Sequence, residues 1–395
     1  MNQPEPNTHL IEIIQDQIAS SPQQQITFAE YMDLVLYHPQ QGYYTSGIAD
    51  IGKAGDFFTA SSLGSDFGEL LAEQFIEMWE KLGKPNSFDL VEIGAGKGQL
   101  AHDILSYLFQ KYSDFFNCLQ YRIIESSPAL KQEQKKTLQN WQITWETLEN
   151  IPENSIVGCC FSNELVDAFP VHRIEIENQT LKEIYVTLSE TENMSPFTEI
   201  TDDPSTSQLK DYFQTVGISF PSSDYPDGFR TEVNLAIIPW LKTISHYLQQ
   251  GYLLTIDYGY SAAKYYNPQR DEGTLQCYFQ HQRHNDPYLL IGKQDITAHV
   301  DFTALETYGK HYHLEPLGLT QQALFLMALG LGNRLNELSQ GGFNVRKVLQ
   351  RRDALHQLID PMGLGGFNVL LQGKGLTETE KASPLRGFRE EDSLA

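Results

Sequence analysis

The residues with the most evident chemistry lie between Phe88 and Gly98, where an apolar run carrying Glu92 breaks into Gly94, Gly96 and Gly98. Glycines after a strand let the chain turn tightly and let a ligand approach the backbone amides. The apolar spacing from Leu100 to Phe109 predicts a helix directly afterwards, so the glycines stand at a strand-to-helix junction. A dinucleotide fingerprint needs its third glycine three residues after the second, whereas Gly98 follows Gly96 by two. Glu92 would repel a pyrophosphate and attract a cation. The next predicted strand, Tyr121 to Ile124, ends in Glu125, a carboxylate suited to the two hydroxyls of a ribose. A ribose-bearing cationic cofactor matches this set. The set favours S-adenosylmethionine, which carries a sulfonium and an ammonium, as the expected cofactor.

These groups need a sheet to hold them. Strands are expected at Asp89 to Ile93, Tyr121 to Ile124 and Ile156 to Phe161, alternating with helices at Leu100 to Phe109 and Ala129 to Leu138, which predicts a parallel α/β sheet. Beyond Phe161 the pattern turns irregular. Arg173 to Ile176 and Glu183 to Leu188 read as antiparallel strands, Thr191 to Thr206 as loop, Thr231 to Leu248 as helix and Tyr252 to Asp257 as a buried strand. His313 to Leu317 and Phe367 to Leu371 complete the expected strands. The division is a flexible tail over 1–25, a helical cap over 26–85, a core over 86–375 with insertions near 172–230 and 260–312, and a disordered tail over 376–395.

Composition narrows the function classes. The chain has 395 residues, 41% hydrophobic and 20% charged, as expected of a soluble globular protein. With 51 acidic against 28 basic residues, its net charge of -23 disfavours nucleic acid and anionic membranes as partners. Cys118, Cys159, Cys160 and Cys277 have neither metal-site spacing nor disulfide density. No secretory signal or membrane-spanning run is legible, so the expected location is cytoplasmic.

Further motifs follow in order: Gly55-Asp56-Phe57 with Thr59; Phe67-Gly68-Glu69-Leu70; Leu90 to Gly98; Ser162-Asn163-Glu164-Leu165; Asp167 to Val171; Ile256-Asp257-Tyr258-Gly259; Gly273-Thr274-Leu275; His281; and Gln294 to Phe302. Together they resemble the MidA-like methyltransferases, relatives of a mitochondrial complex I assembly factor that methylates arginine. The resemblance runs from about Ile26 to Gly373. Ala60-Ser61-Ser62 and Ala95 depart from it, standing where the family has Ser-Pro and often a proline. The resemblance implies a Rossmann-like class I methyltransferase sheet with an N-terminal cap and inserted substrate-side segments. It also implies methyl transfer from S-adenosylmethionine to a protein arginine, with an NADH dehydrogenase (complex I type) subunit as the substrate. A small-molecule acceptor and a noncatalytic assembly role remain alternatives, because fold and cofactor do not fix the acceptor.

If the acceptor is arginine, a carboxylate must hold its guanidinium in a fork. Glu164 and Asp167 are the candidates. A helix after the strand would place both on one face; alternatively, Asn163 and Asp167 cap that helix. Asp257, a third catalytic candidate, and Tyr258 stand at a strand's carboxyl end, either lining the acceptor channel or, for Asp257, as a paired core carboxylate. Glu92, Gly94, Gly96, Gly98, Glu125, Asn163 and Asp56 are the candidate cofactor residues. Tyr258, His281 and His299 are the candidates on the acceptor side. His281, His284, Asp286, Asp295, His299 and Asp301 supply nitrogen and oxygen ligands, but their spacing fits no standard metal site, and no metal is expected. Oligomeric state is not legible.

Overall fold

The computed structural model describes residues 6–47, 59–190, 195–280, 282–339 and 345–389. The chain divides into two compact units, each built from separate stretches: 1–57, 166–240 and 259–307 in one, and 58–165, 241–258 and 308–395 in the other.

The second unit contains a seven-stranded mixed sheet. Its strands are β1 (Phe88–Ile93), β2 (Leu119–Ile124), β3 (Thr144–Glu146), β4 (Ile156–Asn163), β5 (Leu248–Asp257), β6 (Glu315–Gln321) and β7 (Asn368–Lys374). Their order is β6-β7-β5-β4-β1-β2-β3. The strands from β5 to β3 are parallel to their neighbours, and β7 runs antiparallel between β5 and β6. Every residue of β1 is buried, which suits a central parallel strand covered on both faces. Asp89 at its start pairs with Arg122 at 2.8 Å and accepts a hydrogen bond from the Val157 amide at 3.1 Å. Its charge is thereby matched where burial would otherwise be costly.

Helices α1 (Asp66–Lys81), α2 (Gln99–Lys111) and α3 (Pro128–Thr137) belong to this unit. Phe67, Leu71 and Phe75 of α1 share an apolar core with Phe88, Leu90 and Phe161, and the Phe75 and Phe161 rings lie 5.0 Å apart. The expected cap over 26–85 is therefore split, with α1 packing as part of the sheet unit. Asp66 in its first turn accepts from Arg351 at 2.6 and 2.7 Å and from Arg334 at 3.0 Å.

In the first unit, Gln25–Thr27, Thr180–Leu188, His172–Glu177 and Arg230–Val233 form an antiparallel sheet in that order, with Phe197–Asp202 also pairing to Thr180–Leu188. Smaller sheets join Gln276–Phe279 to Gln282–His284 and Asp295–Thr297, and Gly259–Tyr260 to Val300–Asp301. The insertions near 172–230 and 260–312 thus fold largely with the N-terminal segment.

Several sequence expectations are corrected. The tail expected over 1–25 contains a helix, Thr8–Ser20, whose Leu10, Ile14 and Ile18 are buried at i, i+4 and i+8 among Phe28, Tyr31 and Leu275. Asn7 caps it by accepting from the Leu10 amide. Thr191 to Thr206 is not all loop, because Phe197–Asp202 pairs into the sheet. The helix expected from Thr231 begins at Ile237, after the strand Arg230–Val233. The C-terminal stretch from 376 to 389 is ordered. Leu376 and Leu385 are buried, and the Arg386 and Gly387 amides donate to Glu77 and Gln74. Among the described residues no helix is long and apolar enough to cross a membrane.

Candidate functional site

The chain leaves β1 toward β2 and β3 on one side, while β4 and β5 lie on the other. The carboxyl ends of β1 and β4 therefore flank a topological switch point, where open α/β sheets place their ligands. The glycine loop occupies the end of β1. Gly94, Gly96 and Gly98 have φ of +73°, +52° and +81°. At Gly94 this left-handed conformation excludes other residue types at low cost, and an added Cβ would lie 2.7 Å from Leu165 Cδ1. The loops after β1 and β4 are thus in mutual contact. Gly98 begins α2 with no side-chain cap, leaving the helix start to backbone amides.

Acidic groups stand along this edge. Glu92 is 3% exposed and accepts a hydrogen bond from the Tyr121 hydroxyl at 2.7 Å. Burial pushes its carboxyl up to about 7, against the Tyr121 hydrogen bond and with a further push from Glu125. Glu125, just past β2, accepts from the Ser127 amide at 2.8 Å and from Gln134 Nε2 at 2.9 Å. Burial raises its pKa, while those donors oppose the rise. Gln134 was not legible as a site residue, since a glutamine in a polar helix has no distinguishing spacing.

After β4 the chain does not turn helical. Glu164 has φ +52°, and a single 3-10 turn spans Val166–Ala168. Glu164 Oε1 accepts from the Ala60 amide at 3.3 Å and from Asn163 Nδ2 at 3.0 Å. The helical spacing argument joining Glu164 to Asp167 therefore lapses, and so does the reading of Asn163 as a helix cap. Asp167 belongs to the first unit, is buried, and its carbonyl accepts from the Ala298 amide. Asp257 is fully buried, and its two oxygens accept from the Leu165 amide at 3.2 Å and the Tyr258 amide at 2.9 Å. It anchors the loop that carries Glu164, so the catalytic assignment gives way to a positioning one. The Tyr258 ring packs 5.3 Å from that of Phe367.

His299 lies in the first unit, stacked on Tyr260 at 5.0 Å. Burial, then Arg270, push its pKa down to about 4, so the imidazole is neutral. Asp295 accepts from the Tyr44 hydroxyl, Asp301 from Tyr212, and His284 from the Asp286 amide. These hydrogen bonds account for residues considered as metal ligands. Asp56 and His281 fall outside the described residues.

A family model of S-adenosyl-L-methionine-dependent methyltransferases matches residues 70–320. Curated relatives include the protein arginine methyltransferase NDUFAF7, mitochondrial, of Mus musculus, 27% identical over 370 residues, spanning 86% of this chain and 79% of its own. The Homo sapiens counterpart is 28% identical, spanning 86% of this chain and 78% of its own. A crystal structure from Burkholderia thailandensis bound to S-adenosyl-homocysteine superposes with a TM-score of 0.85 at 27% identity, covering 100% of both chains.

The residues present fit such a cofactor. Gly94 makes the tight left-handed turn that ends β1, and Leu165 fills the space a Cβ would take, so the loop is held in place at the sheet edge. Asn163 Oδ1 is buried and accepts no hydrogen bond among the described residues, an arrangement that suits an ammonium donor. Glu92 offers a carboxylate to a cation, and Glu125 a fixed acceptor to ribose hydroxyls. With the family match covering well over half of its length, the chain belongs to the S-adenosylmethionine-dependent methyltransferases.

Proposed function

We propose that this enzyme is a protein arginine methyltransferase acting in the cytoplasm on a subunit of an NADH dehydrogenase of the complex I type. The observation that carries the reading is Glu164. Its carboxylate is held at the end of β4 by the Ala60 amide and Asn163, next in sequence to Leu165, whose side chain packs on Gly94 of the loop that follows β1. The cofactor supplies an electrophilic methyl group. With the cofactor bound, Glu164 would hold the guanidinium by charge-assisted hydrogen bonds and turn one nitrogen toward that methyl, and positioning provides much of the acceleration. As the nitrogen–methyl bond forms and the sulfur–methyl bond breaks, the proton displaced from that nitrogen would pass by way of Glu164 to solvent. Asp257 fixes the Leu165 and Tyr258 amides and so keeps the Glu164 backbone in its left-handed conformation. The names of the mouse and human relatives support arginine as the acceptor. The ordered motifs support the dehydrogenase partner, and the cysteine-poor, acidic composition supports a reducing compartment.

Mass spectrometry of the dehydrogenase subunits, from cells with and without this enzyme, tests the proposal. One arginine should carry methyl groups only when the enzyme is present, and should lose them in cells bearing Glu164→Gln. Methylation confined to small molecules would refute the protein acceptor.

A further inference from the structure

Gln134 lies in α3, is wholly buried, and its side-chain amide has partners on both of its faces. Nε2 donates to the Gly96 carbonyl at 2.9 Å and to Glu125 Oε2 at 2.9 Å, while Oε1 accepts from Trp145 Nε1 at 3.0 Å. An amide's oxygen and nitrogen are often interchangeable in position, but an indole N–H can only donate. Trp145 on β3 therefore requires the oxygen on its side and directs both amide protons toward the loop and the carboxylate. One residue thus joins the glycine loop to the acid at the end of β2. The Ser127 amide holds the other oxygen of Glu125 at 2.8 Å, so the plane of the carboxylate is set from both sides.

We propose that Gln134 is the positioning residue that aims Glu125 at the ribose, and that it thereby sets the enzyme's discrimination between cofactors with and without a ribose hydroxyl. The proposal rests on the reading of Glu125 as the ribose acceptor. Gln134 itself reaches no reacting atom. Without its amide, Glu125 keeps its backbone partners at Ser126 and Ser127 but loses its side-chain donor and can swing about the backbone side, and the Gly96 carbonyl loses its clamp. The remaining carboxylate then meets a hydroxyl in no fixed direction, so removing that hydroxyl costs little.

The experiment is calorimetric titration of the full-length protein with S-adenosylhomocysteine and with its 2′-deoxy analogue. Wild-type protein is expected to bind the deoxy ligand roughly tenfold or more weakly, as for loss of a hydrogen bond to a charged group. Gln134→Met, which nearly preserves volume, is expected to weaken both ligands and to shrink that ratio to within about threefold. Trp145→Phe leaves Gln134 in place but frees its amide to turn, and should shrink the ratio in the same direction; it serves if Gln134→Met does not fold. A ratio unchanged from wild type in a folded variant overturns the proposal. Equal binding of both ligands by the wild-type protein would instead remove the ribose reading of Glu125, and the proposal with it.

Discussion

If Glu92 faces the bound cofactor, as its place beside the glycine loop predicts, it couples cofactor binding to pH in a defined direction. Its carboxyl is buried, titrates at about 7, and has Glu125 as an acidic neighbour. A cationic ligand favours the ionised form, so binding must first displace a proton wherever the free enzyme holds one. If the bound form titrates well below 6, the penalty on affinity is the factor 1 + 10 raised to (7 − pH). From about pH 8 to about pH 6 affinity for S-adenosylmethionine should then fall roughly tenfold, or about 1.4 kcal/mol. The folding contribution has the opposite slope. A carboxyl whose folded pKa exceeds its unfolded value stabilises the fold fully below the unfolded pKa and loses that contribution as pH rises through about 7. The ligand-free protein should therefore melt lower, on account of Glu92, as pH rises across that window, while the cofactor binds more tightly. Calorimetric titration in buffers of different ionisation enthalpy would count the released proton. Glu92→Gln should flatten the share of the affinity slope that is not the cofactor's own titration. A slope identical in wild type and Glu92→Gln would refute the reasoning.

Other substitutions probe separate parts of the site. Gly94→Val places a β-branched side chain at φ +73° against Leu165 and should abolish cofactor binding, measured by thermal shift with S-adenosylmethionine; undiminished affinity would show that the loop is misassigned. Glu164→Gln should leave cofactor affinity intact while kcat/KM for an arginine-containing acceptor falls roughly ten- to a hundredfold, the share of one hydrogen bond to a charged group; equal activity would take Glu164 out of the acceptor site. Asp257→Ala should destabilise the protein by about 1–3 kcal/mol in denaturant unfolding, because the Leu165 and Tyr258 amides lose their acceptor; an unchanged midpoint would deny it the anchoring role. For Asp66, burial acts to raise the pKa, yet Arg351 and Arg334 together hold it below its usual value. Its stabilisation is present above the unfolded pKa and lost as pH falls, so Asp66→Ala should cost about 3 kcal/mol at neutral pH and less in acid, as read by urea melts.

Much of the sheet edge around the glycine turn was legible because its signals are local. Strand β1, the glycines and α2 adjoin in sequence, and Glu125 follows its strand directly, so periodicity and turn chemistry placed them. Where the sequence misled, distant partners decided. The pattern Leu10, Ile14, Ile18 is too sparse to announce a buried helix, and only packing against Tyr31 and Leu275 covers it. The spacing of Glu164 and Asp167 suits a helix, but the Ile256 carbonyl and the Asp257 carboxylate take the Glu164 and Leu165 amides and hold Glu164 in a left-handed turn. Asp257 itself could have been a catalytic residue of the acceptor channel or a paired core carboxylate by type alone. Its burial between two amides made it an anchor.

By itself, the order of residues determined the strand, the tight glycine turn, the acidic lining and the family to which they belong, since each depends on neighbours a few positions apart. Tertiary structure alone decided that α1 joins the sheet unit, that the first twenty residues carry a packed helix, and that Gln134 links Gly96 to Glu125 and Trp145. The physical reason is the same throughout. Burial and hydrogen-bond completion are satisfied by groups far apart in the chain, and no local pattern records which of them will meet.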